Sequence, residues 1–203
     1  MSKPTGSTRI LTPKIKYIAS ARIKYQELLS SLSADESKSY FSEKTGAYVI
    51  FMKGHNHTDK AKDGDAEIEA AKALADAGID IKLTPEGDGY EIYATSTKIR
   101  KDGTKIYKYS EGKMSAYTFE QRTPTEIKND AASSVRMAIN HANSKKSSIA
   151  LIYDKHSLFH RKDIENGMKL YQSKHHMWET KGVKCVIVVN SKGQVYEHQF
   201  DKE

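Results

Sequence analysis

Four groups of side chains in this sequence have the types and spacing that chemistry needs. Gly54-His55-Asn56-His57 sets two imidazoles two positions apart, directly after an apolar run. Imidazole titrates near neutrality, so His55 and His57 suit acid–base work and also offer nitrogens to a metal. Two ligands alone do not hold a zinc ion, which needs a third and a fourth, and the same stretch also reads as a polar loop. Glu67 and Glu69 stand at the start of an alanine-rich helical pattern, where carboxylates also simply favour the helix N-terminus. Thr118-Phe119-Glu120-Gln121-Arg122-Thr123-Pro124-Thr125 alternates so that Glu120 and Arg122 share one face of a strand and Phe119 takes the other. A carboxylate, a guanidinium and hydroxyls at a strand end fit ribonucleolytic chemistry: the carboxylate moves a proton and the arginine stabilises a charged phosphorane. An exposed Glu–Arg pair is the plainer reading of those residues. Lastly, Lys98, Arg100, Lys101 and Lys105 surround an expected hairpin tip beside Tyr107 and Tyr109. Cations interleaved with aromatics suit phosphates and unstacked bases, and such charges also protect a sheet edge from pairing.

The elements that must hold these residues are mostly readable. Tyr48 to Met52 is a short apolar run between Gly46 and Gly54, which predicts a strand. Glu67 to Gly78 predicts a helix, with Asp65 as N-cap and Gly78 as C-cap. Ile79 to Leu83 alternates as a half-buried strand. Tyr90 to Thr97 and Lys105 to Tyr109 predict strands around Asp102-Gly103, a hairpin turn signal. Ala116 to Arg122 predicts a strand that Pro124 ends. A helix follows from about Lys128 or Asp130 to Asn143, then a strand over Ser148 to Tyr153, a helix over Arg161 to His175, a buried strand over Val183 to Val189 and a last strand over Gln194 to Gln199. Near the N-terminus, Thr12 as N-cap and Pro13 at the first helical position predict a helix over Lys14 to Leu32. The expected fold is α+β: a mostly antiparallel or mixed sheet with helices packed on it. The expected organisation is a helical extension or linker over residues 1–40 and a domain over 41–203.

Composition narrows the function classes. The chain has 203 residues, 33 Lys plus Arg against 26 Asp plus Glu, and a formal charge of +7. That balance favours a polyanionic partner without fixing one. No apolar stretch approaches the ~18 residues of a spanning helix, so no membrane role is expected, and Met1 to Leu11 contains no apolar run of a secretory signal. The single cysteine, Cys185, forms no internal disulfide and sits in an apolar run, which predicts a buried thiol. No phosphate loop, dinucleotide fingerprint or nucleophile elbow is present. His156, His160, His175 and His176 show no ligand spacing.

Taken in order, several of these segments resemble a nuclease domain family. Phe41-Ser42-Glu43-Lys44-Thr45-Gly46-Ala47-Tyr48 followed by Lys53-Gly54-His55 is similar to the family's opening. The acidic-start helix resembles Glu67 to Gly78, and a strand ending in Pro-Glu resembles Ile79 to Pro85-Glu86. The family's E-I-K-x-P-T element looks like Glu120-Gln121-Arg122-Thr123-Pro124-Thr125. Its Ser/Asn-bearing helix start looks like Asn129 to Ser134, its strand ending in Asp like Ile149 to Asp154, and its F-x-R-K helix opening like Phe159-His160-Arg161-Lys162. The family is the tRNA-nuclease module, of the barnase–EndoU–colicin–RelE type, found at the C-termini of contact-dependent growth-inhibition toxins (CdiA) and in some phage head-morphogenesis proteins. The resemblance covers about residues 41 to 200. It departs at Arg122, where the family usually has lysine, and in lacking a Pro-Asp pair ahead of the Glu120 strand.

The resemblance implies an endoribonuclease acting on RNA, with tRNA favoured, by metal-independent transesterification without a cofactor. Glu120, His55 or His57 would take the 2′-OH proton. Arg122, Thr123 and Thr125 would steady the phosphate, and Ser134 would add a donor near a helix start. Lys98, Arg100, Lys101, Lys105, Arg136, Arg161 and Lys162 would hold the RNA backbone. An alternative is a divalent-metal nuclease holding Mg or Zn with Glu67, Glu86 and Glu120. Another is a non-catalytic phage structural or nucleic-acid-binding module. A toxin of this kind implies an acidic immunity protein as partner and a target in the cytoplasm.

Overall fold

The structure, a computed structural model, describes residues 8–55, 63–85, 90–93, 97–99, 105–107, 112–117, 119, 122–175 and 183–199. In chain order its elements are β1 (Thr8–Ile10), α1 (Ile18–Ser31), β2 (Tyr40–Phe41), β3 (Tyr48–Phe51), α2 (Asp63–Asp76), β4 (Asp80–Leu83), β5 (Tyr90–Tyr93), β6 (Thr97–Ile99), β7 (Lys105–Tyr107), β8 (Gly112–Tyr117), α3 (Pro124–Asn129), α4 (Ala131–Ser144), β9 (Ile149–Asp154), α5 (Arg161–His175), β10 (Cys185–Asn190) and β11 (Val195–Gln199). This is an α+β fold with mixed sheets. No helix among the described residues is long and apolar enough to cross a membrane.

Contacts divide the chain into two compact units, one of Met1–Leu11 with Met114–Glu203 and one of Thr12–Lys113. The second is inserted into the sequence of the first, so the division falls elsewhere than residue 40.

In the outer unit the strands run in the order β1-β11-β10-β9-β8. β8, β9 and β10 are mutually parallel, while β11 and β1 are antiparallel additions. Every residue of β9 and of β10 is buried, as continuous apolar runs in parallel strands require. Each parallel step needs a helical return, supplied by α3 and α4 and then by α5. Alternate strand residues, Ala150 and Ile152 with Val186 and Val188, join Val135, Ile139, Met168 and Tyr171 of the helices in one core. Gly167 lets α5 approach α4: a Cβ there would lie 2.5 Å from the Val135 Cβ and 2.7 Å from the Ala132 carbonyl oxygen. Cys185 is buried, and that burial pushes its thiol pKa up. β1 is fastened by Arg9, whose Nε and Nη2 donate to Glu197 Oε2 at 2.8 and 2.6 Å.

Two expected boundaries in this unit are corrected. The strand read over Ala116 to Arg122 ends at Tyr117, and Phe119 turns through a φ of +60°. The helix read from Lys128 or Asp130 to Asn143 forms as α4, and a separate short helix, α3, precedes it. Thr123 caps α3 through a reciprocal box with Glu126, and Pro124 takes the first turn, so Pro124 opens a helix rather than only closing a strand.

In the inserted unit β2, β3, β4 and β5 lie side by side, with β3 and β4 parallel through α2 and the outer pairs antiparallel. β6 and β7 form a hairpin, pairing Lys98 with Ile106 and Ile99 with Lys105; of the first strand read for it, Tyr90 to Thr97, the part Tyr90–Tyr93 pairs with β4 instead, and the Asp102-Gly103 turn lies outside the described residues. α2 starts at Asp63, so Asp65 stands inside the helix rather than at its cap. The helix read from Lys14 starts instead at Ile18, after a Tyr17 cap without a side-chain bond. Tertiary contacts outweigh the Thr12-Pro13 signal. The Lys16 N–H donates to the Thr45 carbonyl at 2.7 Å, and the Lys16 ammonium pairs with buried Asp80. Residue 14 also passes close to Gly78, whose φ is +89° and whose Cβ would meet the Lys14 oxygen at 2.7 Å. α1 packs Tyr25 and Leu29 against Ala34, Tyr48 and Ile50 in the core of this unit.

The α4–α5 contact has no room for a methyl group. Gly167→Ala is expected to lower unfolding stability by about 1–3 kcal/mol, as forced overpacking does, read from chemical denaturation. Wild-type stability in that variant would mean the helices separate without cost.

Candidate active site

The inserted unit brings two of the sequence candidates together. β3 ends at Phe51, and Lys53-Gly54 then turns the chain, with Gly54 at a φ of +90°. The His55 N–H closes this turn on the Met52 carbonyl at 3.2 Å. His55 therefore points inward and is only 8% exposed, rather than lying in a polar loop. Its Nδ1 lies 2.5 Å from the Thr84 carbonyl oxygen, just beyond β4. A carbonyl only accepts, so Nδ1 carries the proton. The ring meets Phe51 edge-on at 5.1 Å. Nε2 then faces Glu67 of α2, 3.4 Å from Oε2, with the Glu67 side chain 13% exposed.

Burial of the His55 ring works against its charge. The Glu67 carboxylate and the Thr84 carbonyl favour the charge and outweigh burial, with Lys38 a smaller opposing influence, so the His55 pKa is raised. The site lies beyond the carboxyl ends of the parallel strands β3 and β4, the edge where open α/β sheets bind ligands. An imidazole held at Nδ1, with Nε2 3.4 Å from a carboxylate oxygen, has the makings of an acid–base pair.

The outer unit gathers a second set. Arg122 Nη1 donates to Ser134 Oγ at 2.5 Å, Nη2 donates to the Glu126 carbonyl at 3.2 Å, and Asp130 lies 4.0 Å away. Ser134 stands in the first turn of α4, near a helix start as read, but is wholly buried. The Thr123 hydroxyl is engaged by Glu126, and Thr125 is exposed in the first turn of α3. These contacts hold Arg122 in a structural bracket, which leaves it less of its guanidinium for a phosphate.

The remaining candidates are dispersed. Arg136 reaches Ser133 at 3.5 Å, Arg161 pairs with Glu165 at 2.9 Å and Lys162 is exposed. Lys98 and Lys105 are placed by the hairpin backbone. His57, Glu86, Arg100, Lys101 and Glu120 lie outside the described residues. Among the described residues no three His, Cys, Asp or Glu side chains gather as a metal would need. Sequence reading missed Thr84, whose part is played by a carbonyl that no side-chain pattern announces.

No protein-family model, curated protein or solved structure matches this chain.

A raised histidine pKa stabilises the fold fully below the unfolded value, about 6.5, and that contribution fades as pH rises through the folded value. Glu67→Gln removes the carboxylate that favours the charge. The variant is expected to titrate His55 at lower pH than wild type, read by NMR of the imidazole, and to lose stability mainly on the acid side. An unchanged titration would show that Glu67 does not act on His55.

Proposed function

We propose that this chain cleaves RNA phosphodiesters, tRNA foremost, by metal-independent transesterification with Glu67 and His55 as the acid–base pair. The observation that carries the reading is the 3.4 Å approach of the His55 Nε2 to Glu67 Oε2, with the opposite ring nitrogen held by Thr84. In this scheme the 2′ oxygen attacks phosphorus, forming O2′–P and breaking P–O5′. Glu67, the more exposed partner, accepts the 2′ proton. The pair returns a proton to the departing O5′. His55 balances the charge on the carboxylate and orients it. The +7 charge of the chain supports a polyanionic substrate, and the resemblance to toxin nuclease modules supports RNA.

One observation favours a second reading. Both His55 nitrogens face protein atoms and its side chain is 6% exposed, which also suits a structural pair in a nucleic-acid-binding module without turnover. A metal-dependent nuclease built on Glu67, Glu86 and Glu120 is the third.

Purified protein incubated with total tRNA, with and without EDTA, separates the three on a denaturing gel. Discrete fragments in both lanes are expected, falling at least ~100-fold in rate in Glu67→Gln, as loss of a general acid–base group does. Cleavage only without EDTA would replace this reading with the metal site. Intact tRNA in both lanes would replace it with the binding module.

A further inference from the structure

We propose that the turns at the carboxyl ends of β9 and β10 form a docking surface for a nucleic-acid phosphate backbone. The segment after β9 reads Lys155-His156-Ser157-Leu158-Phe159-His160-Arg161-Lys162, and the turn after β10 contains Lys192. Lys155, His156, His160, Arg161, Lys162 and Lys192 are all exposed.

The backbone beneath these side chains is fixed by buried polar groups. The Asp154 carboxylate, at the end of β9, accepts the Leu158 N–H at 2.9 Å and the Phe159 N–H at 2.8 Å. Its main-chain oxygen accepts the N–H of Ser157 at 3.0 Å and of Ser191 at 3.2 Å, so one residue holds both turns. The Ser157 and Ser191 hydroxyls meet at 2.9 Å. In the β10 turn, Asn190 Oδ1 accepts the Lys192 N–H at 3.1 Å and the Gln194 N–H at 2.9 Å. Phe159 is buried and tilts against Phe119 at 5.5 Å, which anchors the longer loop in the core.

Two adjacent, rigidly held turns thus carry cations into solvent, while the acidic side chains among them are engaged. Asp154 is buried under its N–H donors, Asp163 accepts the His160 N–H at 2.9 Å, and Glu165 pairs with Arg161. The α5 N-terminus is occupied by Asp163 and is not the site. Fixed cations along one edge neutralise successive phosphates and release counterions, which gives affinity without sequence preference.

This surface does not depend on the acid–base reading. The test uses a fluorescent 2′-O-methyl oligonucleotide of 20 nucleotides, which has no attacking 2′-OH, titrated by anisotropy across a salt series. The full chain is compared with Lys155→Ala/Lys162→Ala/Lys192→Ala and, as a control on α1, with Lys24→Ala. The triple variant is expected to bind at least ~10-fold more weakly at low salt and to lose about 2 units of the log–log salt slope, roughly 0.7 per phosphate contact on a single strand. Lys24→Ala is expected to match wild type. Equal binding by the triple variant and wild type, no binding by wild type, or equal binding of wild type to polyglutamate would each overturn the proposal. Circular dichroism of the triple variant excludes unfolding as the cause of a loss. Wild-type binding without cleavage of unmodified tRNA would leave the docking surface standing and remove the nuclease reading.

Discussion

Parallel neighbouring strands cannot be joined by a tight turn, and this one constraint organises both units. A parallel pair needs a long return, usually through a helix. The inserted unit makes that return with α2 between β3 and β4, and the outer unit makes it with α3–α4 and with α5. Such returns cover the strands and leave their carboxyl ends at one edge, where loops are free to vary. Each candidate surface described above sits on such an edge. His55 and Thr84 follow β3 and β4; Lys155 and Lys192 follow β9 and β10.

Burial of polar groups sets the next level of order. A charge taken out of water needs partners, or it shifts its pKa or destabilises the fold. Four buried or half-buried ionisable groups each have a particular answer. Glu197 is met by Arg9 and by Gln199 at 2.8 Å, which ties β1 to β11. Asp80 is met by Lys16, which draws the segment before α1 out of a helix. Asp154 accepts two backbone N–H groups, yet burial outweighs them and its pKa is raised. His55 and Glu67 answer one another. The first two fasten the chain, the third shapes a loop, and the fourth brings an imidazole nitrogen to 3.4 Å from a carboxylate oxygen beyond β3 and β4.

Much of the fold was legible from residue pattern. The α5 boundaries, Arg161 and His175, match the reading from periodicity, because a long amphipathic stretch fixes its own ends. The apolar runs of β9 and β10 were equally plain. What escaped depended on partners far away in sequence. Three residues, Thr8 to Ile10, carry no strand signal of their own and become β1 only through pairing with β11. The start of α1 obeys Asp80 and Thr45 rather than Thr12 and Pro13. Of the site, His55 and Glu67 each stood out by residue type, but their meeting did not, since it depends on Gly54 turning the imidazole inward. The exposed histidines His156 and His160 looked scattered along the sequence; the shared anchor at Asp154 and the adjoining Lys192 turn are properties of the folded sheet.

The central claim is that Glu67 and His55 move protons while a 2′ oxygen displaces O5′. Mass spectrometry of the RNA ends left by wild-type protein in EDTA tests that claim most directly. The account expects a 2′,3′-cyclic phosphate on one fragment and a 5′-hydroxyl on the other. Fragments ending in 5′-phosphate and 3′-hydroxyl, or RNA left whole by folded protein, would contradict it.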